Sequence, residues 1–521
     1  MTVVLNSRRD FTLEHYRRVA AEGEPVVIGD RARGVMAEHR AAFVELLAAD
    51  RTAFMYGVTS RPGLEVKVPV APEDQAAWAT GAEMLGTGRG FGGGYLDERV
   101  VRGIVFARLA DFVEGTAKIR PVVADRVAAM LDGPLPPVPL DGQVGAGEIL
   151  PLMHVMSRVV TSDFEEGEWM TLVNGSPCSA ALIADTALHA RHRLVRAEQV
   201  LALSVEALRA PLDAYDPELD ALWGDEHETA ALRALRAHLD GADSAGRLVQ
   251  QAPVSYRILP RVLGQVRRAI AGVEHAARVS LASAAHNPVY VRPDGRHPHG
   301  RLFSTGGYHN AMAYPALNAM TVAWADITLI CERHIACLHS SELSELPHFL
   351  APAGVPGAAT NLFGWVAAGY VEGARAAAAP TLLPACVNDA RDDVSSPTFI
   401  AYARERRGAE CLDGVLAILS LVSSQALFVA DRAPGPRLRD FLAGIRSVFP
   451  PVDGRPRNSL GAQAGRLAGI FSRGALTGEL DFGDAPLTRE LDFATPPSGQ
   501  SRGAQAAAAR PWMPRAGRAR P

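Results

Sequence analysis

Three kinds of side chain in this sequence suit proton transfer on a small organic acid. Tyr56 offers a phenol, which has a reference pKa of about 10 and needs help to move a proton at neutral pH. Arg257 offers a planar fork of donors that suits a carboxylate, and the amide of Asn174 could donate to an anionic oxygen. Each also has a plainer role open to it: an aromatic packed beside Phe54, a structural ion pair, and a helix cap or turn.

The elements that must position these residues are predicted to be mainly helices. Apolar residues at three- and four-residue spacing predict helices over 100–110, 122–131, 194–208, 262–281, 316–338 and 400–430. Strand patterns are few, with short candidates at Leu64–Val68 and Pro288–Arg292. We therefore predict a loop-rich helical N-terminal region (1–170) that carries part of the site, a central helical bundle (171–475) and a disordered tail (476–521). The tail prediction rests on the stretch from about Ser498, which is rich in Ala, Pro and Gly and carries arginines but no acid.

The composition excludes several classes of protein. A net charge of −4 over 521 residues does not suggest a nucleic-acid binder, and five scattered cysteines lack zinc-ligand spacing. The N-terminus has no apolar signal-peptide core, and the most apolar run, 414–430, is slightly short for a membrane span. We expect a cytoplasmic protein with no metal site, nucleic acid or membrane partner. Nearly all of its 53 basic residues are arginine, and only Lys67 and Lys118 are lysine.

A glycine-rich stretch, Gly142–His154, resembles the signature G-S-V-G-A-S-G-D-L-A-P-L-A-H of the histidine/phenylalanine ammonia-lyase family, one residue shorter. Other segments resemble that family's motifs in the same order, at Tyr56–Val58, Leu172–Gly175, Ser204–Leu208, Gln251–Arg257, Ser283–Pro288, Ser304–His309 and Leu346–Leu350. The resemblance runs from about Tyr56 to Val394. It implies a fumarase/aspartase-type protomer with a long central helical bundle, and a homotetramer whose active sites borrow residues from three chains.

In that family an Ala-Ser-Gly triplet cyclises and dehydrates into methylidene-imidazolone, an electrophile. Here Gly145, Ala146 and Gly147 occupy the place, and no serine lies between Gly142 and Pro151. Alanine has no leaving group on its β-carbon and glycine has no β-carbon, so the alkene cannot form. We therefore expect the chain to hold neither this prosthetic group nor another cofactor.

The resemblance also assigns roles to individual residues. It implies that Tyr56 is the proton-transferring tyrosine, that Asn174 lies near the substrate and that Arg257 clamps the substrate carboxylate. Val254 stands where the family has a second essential tyrosine. The hydroxyl of Tyr308, which replaces a phenylalanine, could compensate for that loss, although a structural aromatic is the plainer interpretation.

Two further arginines are candidate substrate-binding residues. Arg391 lies where the family has Glu or Gln, and a cation there would repel an ammonium group; a one-residue shift of register would make Asp392 the counterpart instead. Arg89 lies at or beside the family's selectivity position in a Gly-rich loop. An arginine exposed to solvent is the alternative for both.

These residues lead to one main hypothesis and two alternatives. The main one is an enzyme of specialised metabolism that performs elimination, isomerisation or conjugate-addition cyclisation on a small carboxylate without the prosthetic group. The second is a catalytically inactive homologue that acts as a binding or structural partner. The third is an aromatic amino acid ammonia-lyase with an unusual electrophile.

Overall fold

Long helices packed side by side form the centre of the molecule. The structure is a computed structural model that describes residues 2–81, 90–159, 161, 163–248, 251–352, 360–384, 392–454 and 459–482. The prediction of a mainly helical fold with a long central bundle is confirmed. The bundle helices are Pro177–Leu208, Leu259–Leu281, Ala313–His339, Leu362–Ala377, Thr398–Val429 and Leu460–Thr477.

Shorter helices surround this bundle. They are Leu13–Ala20, Asp30–Ala49, Gln75–Ala79, Glu98–Leu109, Pro121–Ala129, Ile149–Met156, Glu168–Val173, Leu219–Trp223, Glu226–Leu239, Val254–Arg257, Ser341–Ser344 and Arg439–Val448. The helix predicted over 194–208 is only the second half of Pro177–Leu208, since Ala, Ser and Thr in the first half weaken the apolar pattern. Most of the predicted tail, from 483 onward, lies outside the described residues.

Two small two-stranded sheets accompany the helices. Val3–Leu5 pairs in parallel with Val26–Ile28, and Val289–Val291 pairs antiparallel with Arg301–Phe303. The candidate at Pro288–Arg292 is thus confirmed. The strand predicted at Leu64–Val68 is wrong: the chain forms a 3-10 turn at Gly63–Glu65, because Gly63 has a φ of +58° and turns the backbone.

Helix Thr398–Val429 is the most apolar element of the core. It is long and apolar enough to cross a membrane, but 89% of its most apolar window is buried inside the protein. The sequence-based interpretation of a buried bundle helix agrees with that burial. Buried polar contacts help to fix its position. Asp413 accepts from Nε and Nη2 of Arg193, both at 2.9 Å, and Glu405 accepts from the indole N–H of Trp324 at 2.8 Å.

Candidate active site

The glycine-rich stretch forms a tight turn that is fastened to two neighbouring segments. Gly147 and Glu148 have φ values of +69° and +52°, and helix Ile149–Met156 begins directly after them. The carbonyl of Gly145 accepts from the N–H of Ser396 at 3.1 Å, and the carbonyl of Gly147 accepts from the N–H of Gly175 at 3.0 Å. The turn is therefore held against the residues that precede helices Pro177–Leu208 and Thr398–Val429.

The residues of this turn do not fit a methylidene-imidazolone group. Ala146 carries only a methyl group, and neither neighbouring glycine has a β-carbon. A Cβ added at Gly147 would lie 2.7 Å from Oδ1 of Asn174, so a serine side chain would collide with that amide. The chain has neither the leaving group nor the space for it at Gly147.

Asn174 lies directly against this turn. Its side chain is 4% exposed, and its Oδ1 is buried without a hydrogen-bond partner among the described residues. Among the described residues, its Nδ2 donates to the sulfur of Met170 alone, at 3.9 Å. Burying an amide whose polar atoms lack hydrogen-bond partners costs free energy of folding unless another group supplies the partners. The side chain of Asn174 is therefore available to a ligand.

Tyr56, Tyr308 and Asp392 form a second group. The phenol oxygen of Tyr56 accepts from the N–H of Gly63 at 3.2 Å, and Oδ2 of Asp392 lies 3.8 Å from the place of a Gly63 Cβ. Burial raises the pKa of Tyr56; the Gly63 N–H opposes this, and the charges of Asp392 and Tyr308 add to it. Tyr56 is therefore a neutral phenol at physiological pH.

Met170 connects the two groups. A Cβ at Gly57, where φ is +67°, would lie 2.8 Å from Cγ of Met170, so the backbone beside Tyr56 packs closely on this side chain. Asn174 touches the sulfur of the same methionine. Helix Glu168–Val173, which carries Met170, thereby sets the distance between the phenol and the amide.

Arg257 does not join this group within one chain. Its side chain is exposed, and its Nε donates to the carbonyl of Ala252 at 2.9 Å. Val254 is 58% exposed, whereas Tyr256 is fully buried. Because the Tyr256 hydroxyl lies 3.1 Å from Ser204 in the bundle core, this tyrosine cannot replace the one missing at 254.

The other predicted residues have different outcomes. Arg89 and Arg391 lie outside the described residues, so their substrate-binding roles remain predictions. In the part of the chain that the structure describes, no group of three or more His, Cys, Asp and Glu side chains could hold a metal ion.

A buried ion pair holds the backbone of Asn174 in place, and the sequence analysis did not predict it. Arg108 and Asp111 are 0% and 1% exposed, with Nη2 and Oδ2 at 2.7 Å. The two terminal nitrogens of Arg108 also donate to the backbone carbonyl of Asn174, at 3.2 and 3.3 Å. Burial alone would raise the pKa of Asp111, but the charge of Arg108 and a hydrogen bond from His286 hold it below its usual value.

Glu148 was also missed, because one acid after a glycine run carries no signal of burial. Its carboxylate accepts from the N–H groups of Cys178 and Ser179 at 2.7 and 2.9 Å and from the Ser179 hydroxyl. These donors lie in the first turn of helix Pro177–Leu208, where the positive end of the helix dipole stabilises a carboxylate. Glu148 therefore anchors the turn to one of the two longest helices of the bundle.

Glu148 gives a testable pH dependence. Burial raises its pKa from 4.5 to about 7 against the opposing effect of its three donors. The folded state then holds a proton that the unfolded state releases between these values, so this contribution to stability falls as pH rises from about 4.5 to about 7. Glu148→Gln is expected to flatten the fall of the unfolding free energy over that range, measured by urea titration from pH 4.5 to 8.

The matched control is Glu226→Gln, at a side chain that is 88% exposed. It is expected to leave the pH dependence as in the wild type. An unchanged slope in Glu148→Gln would contradict the assignment.

Comparisons with known proteins agree with this architecture. A family model described as aromatic amino acid lyase matches residues 11–163 and 158–447. The chain is 27% identical over 435 residues to histidine ammonia-lyase of Geobacillus thermodenitrificans, covering 77% of this chain and 84% of that one. It is 26% identical over 501 residues to the MIO-dependent tyrosine 2,3-aminomutase of Streptomyces globisporus, covering 85% and 90%. The crystal structure of the tyrosine aminomutase from that organism superposes with a TM-score of 0.77 at 23% identity, covering 90% and 96%, which shows a shared fold.

Proposed function

Because this chain belongs to the aromatic amino acid lyase family, we propose that it is a lyase-fold enzyme that transfers protons on a small carboxylate without methylidene-imidazolone. Enzymes of the family act on small amino acids. The observation that carries the proposal is the turn at Gly145–Gly147, which has no leaving group and presses against an unsatisfied buried amide at Asn174. In this proposal Asn174 still binds the substrate, whereas the turn Gly145–Gly147 supplies no electrophile.

The available groups suit reactions that add or remove a proton at carbon through an enolate-like intermediate, in which the negative charge lies on oxygen. Asn174 donates through Nδ2 to an enolate-like oxygen as that charge develops. In the addition direction, water or a nucleophilic group of the substrate bonds to the β-carbon while the C=C electron pair moves onto the enolate-like oxygen. Tyr56 then gives its proton to the α-carbon, and its phenolate takes up the proton that the nucleophile releases; elimination is the reverse. Tyr308 lies near enough to Tyr56 to affect its pKa and is proposed as a second phenol of the site. Elimination, isomerisation and conjugate-addition cyclisation all use this pair of roles.

The carboxylate clamp requires a second copy of the chain in this proposal. Arg257 is exposed on the protomer, so a homotetramer, in which sites borrow residues from neighbouring copies, would bring it to the group around Tyr56. An exposed apolar face of helix Leu362–Ala377, formed by Leu362, Trp365 and Val366, supports such assembly. Arg391 and Arg89 are proposed as further substrate contacts. A cytoplasmic role in specialised metabolism completes the proposal, and the buried free thiols of Cys178, Cys331, Cys337 and Cys411 are compatible with a reducing compartment.

The test is proton exchange into carbon. Purified protein is incubated in D2O with L-histidine, L-phenylalanine or L-tyrosine, and separately with urocanate, cinnamate or 4-coumarate, and followed by NMR and an ammonia assay. We expect deuterium in at least one unsaturated acid and no ammonia from any amino acid. Ammonia release at an ordinary enzymatic rate would overturn the proposal in favour of an ammonia-lyase with an unusual electrophile.

A non-catalytic partner is the second candidate, favoured by the aliphatic Val254 at the tyrosine position. It predicts neither deuterium incorporation nor ammonia release with any of the six compounds. That result would overturn the catalytic proposal.

A further inference from the structure

Lys118 is a buried lysine in a chain that otherwise uses arginine. It is one of two lysines among 53 basic residues, and it is 0% exposed. Its backbone adopts a φ of +53°, a left-handed conformation that disfavours any residue with a side chain.

That side chain meets the three segments that carry Tyr56, Asn174 and Tyr308. Its Nζ donates to Oγ1 of Thr171 at 3.0 Å, in the helix that ends directly before Asn174. It also donates to the carbonyl of Pro288 at 3.5 Å, where the strand pair leading to Tyr308 begins. A Cβ at Gly167 would touch both Cε of Lys118, at 3.0 Å, and Cγ2 of Val58, at 3.3 Å, so Lys118 also lies beside the Tyr56 loop.

The surroundings of Lys118 differ from those of the buried arginines. Arg108 and Arg193 each have a carboxylate within 3 Å, whereas no described carboxylate lies within ion-pair distance of the Lys118 ammonium. An arginine cannot lose its charge in a protein, but a lysine can. Lysine is therefore the basic residue that suits this place.

The charged groups that face Lys118 are Arg40 and Glu168. Arg40 donates to the backbone carbonyl of Lys118 at 3.0 Å, and Glu168 is paired with Arg120 at 2.8 Å. The ring of Phe43 lies 5.9 Å from Nζ. Burial lowers the pKa of Lys118 from 10.5 to about 7; Arg40 adds to this and Glu168 opposes it.

We propose that Lys118 is a positioning residue that works as a neutral amine, joining the segments of Tyr56, Asn174 and Tyr308, and that its protonation loosens all three. A neutral amine has two N–H groups for the two acceptors present, Thr171 and Pro288. An ammonium has a third N–H, for which the described residues supply no acceptor. The proposal rests on the proposed function only in taking these three residues as the site.

The first test is direct titration of the amine. Because the chain has only two lysines, protein labelled with 13C-lysine gives two Cε signals, and a Lys67→Met variant assigns them. We expect the Lys118 signal to titrate near pH 7. A Lys118 signal that titrates above pH 9 would overturn the proposal.

The second test is amide hydrogen exchange at pH 6 and pH 8, expressed as protection factors so that the intrinsic effect of pH is removed. In the wild type, residues 55–60, 168–174 and 289–308 are expected to have about tenfold less protection at pH 6 than at pH 8. The reason is that above about pH 7 the opened state binds one proton more than the folded state, so opening becomes easier as the pH falls towards 7. Lys118→Met should remove that difference, and Lys67→Met should retain it. Lys118→Arg is expected to give low protection at both pH values.

If Lys118→Arg fails to fold, Lys118→Met decides the question. If the difference in protection between pH 6 and pH 8 persists in Lys118→Met, the proposal that Lys118 joins the three segments is contradicted. Neither measurement uses a substrate, so the inference can fail while the proposed reaction stands, and it can hold in a protein that exchanges no deuterium.

Discussion

Replacement of Arg108 with methionine is expected to lower the free energy of unfolding by about 3–5 kcal/mol. The substitution leaves the Asp111 carboxylate, which is 1% exposed, without its cation. It also removes both donors to the Asn174 carbonyl. Urea denaturation at pH 7 measures the loss. Because Asn174 depends on this support, deuterium exchange should fall as well.

The control is Arg375→Met, at an exposed i,i+3 pair with Glu372, which is expected to change stability by less than about 1 kcal/mol. The double variant Arg108→Met/Asp111→Leu should recover part of the loss, since neither charge is then left unpaired; the N–H of Ala285 and the ring of His286 still lose their acceptor. A loss below about 1 kcal/mol in Arg108→Met would show that this ion pair does not support the site.

Tyr56→Phe is expected to reduce deuterium incorporation into the unsaturated acid about 10²- to 10⁴-fold, the usual contribution of a positioned proton donor. The ring remains, so packing near Gly57 and Met170 is preserved. The Gly63 N–H loses its acceptor, which costs about 1 kcal/mol of stability. Rates by NMR and unfolding by urea, measured on the same preparation, separate the two effects.

Tyr95→Phe is the matched control, because Tyr95 is 55% exposed and its exchange rate should equal that of the wild type. A Tyr56→Phe variant that exchanges deuterium within threefold of the wild type would remove Tyr56 from the mechanism. The proton would then come from another group, with Tyr308 the first to test.

The sequence predicted the fold well because its main signals are local and periodic. The apolar spacing of 316–338 and 400–430 placed two bundle helices within a few residues of their observed ends, Ala313–His339 and Thr398–Val429. The ordered motifs then fixed the family. The false strand at Leu64–Val68 shows the limit, since alternation over five residues was outweighed by one glycine with a positive φ.

The residues that support the site could not be predicted from the sequence, because their roles depend on burial and on contacts with distant parts of the chain. Arg108 and Asp111 lie at and just after the end of helix Glu98–Leu109, and no sequence pattern marks them as buried, although they are among the least exposed side chains. Glu148 became informative only when its carboxylate was found at the start of a helix 29 residues further along the chain, and Lys118 only when its amine was found between three segments. No local sequence pattern indicates that a charged side chain is buried.

The central claim is that this lyase fold works without a backbone-derived electrophile, and the mass of the intact protein tests it most directly. We predict the mass calculated from the sequence, 55.4 kDa, apart from any removal of Met1. Fragmentation should give unmodified residues from Gly142 to Pro151. A mass lower by the water molecules that backbone cyclisation releases, located to Gly145–Gly147, would contradict the account.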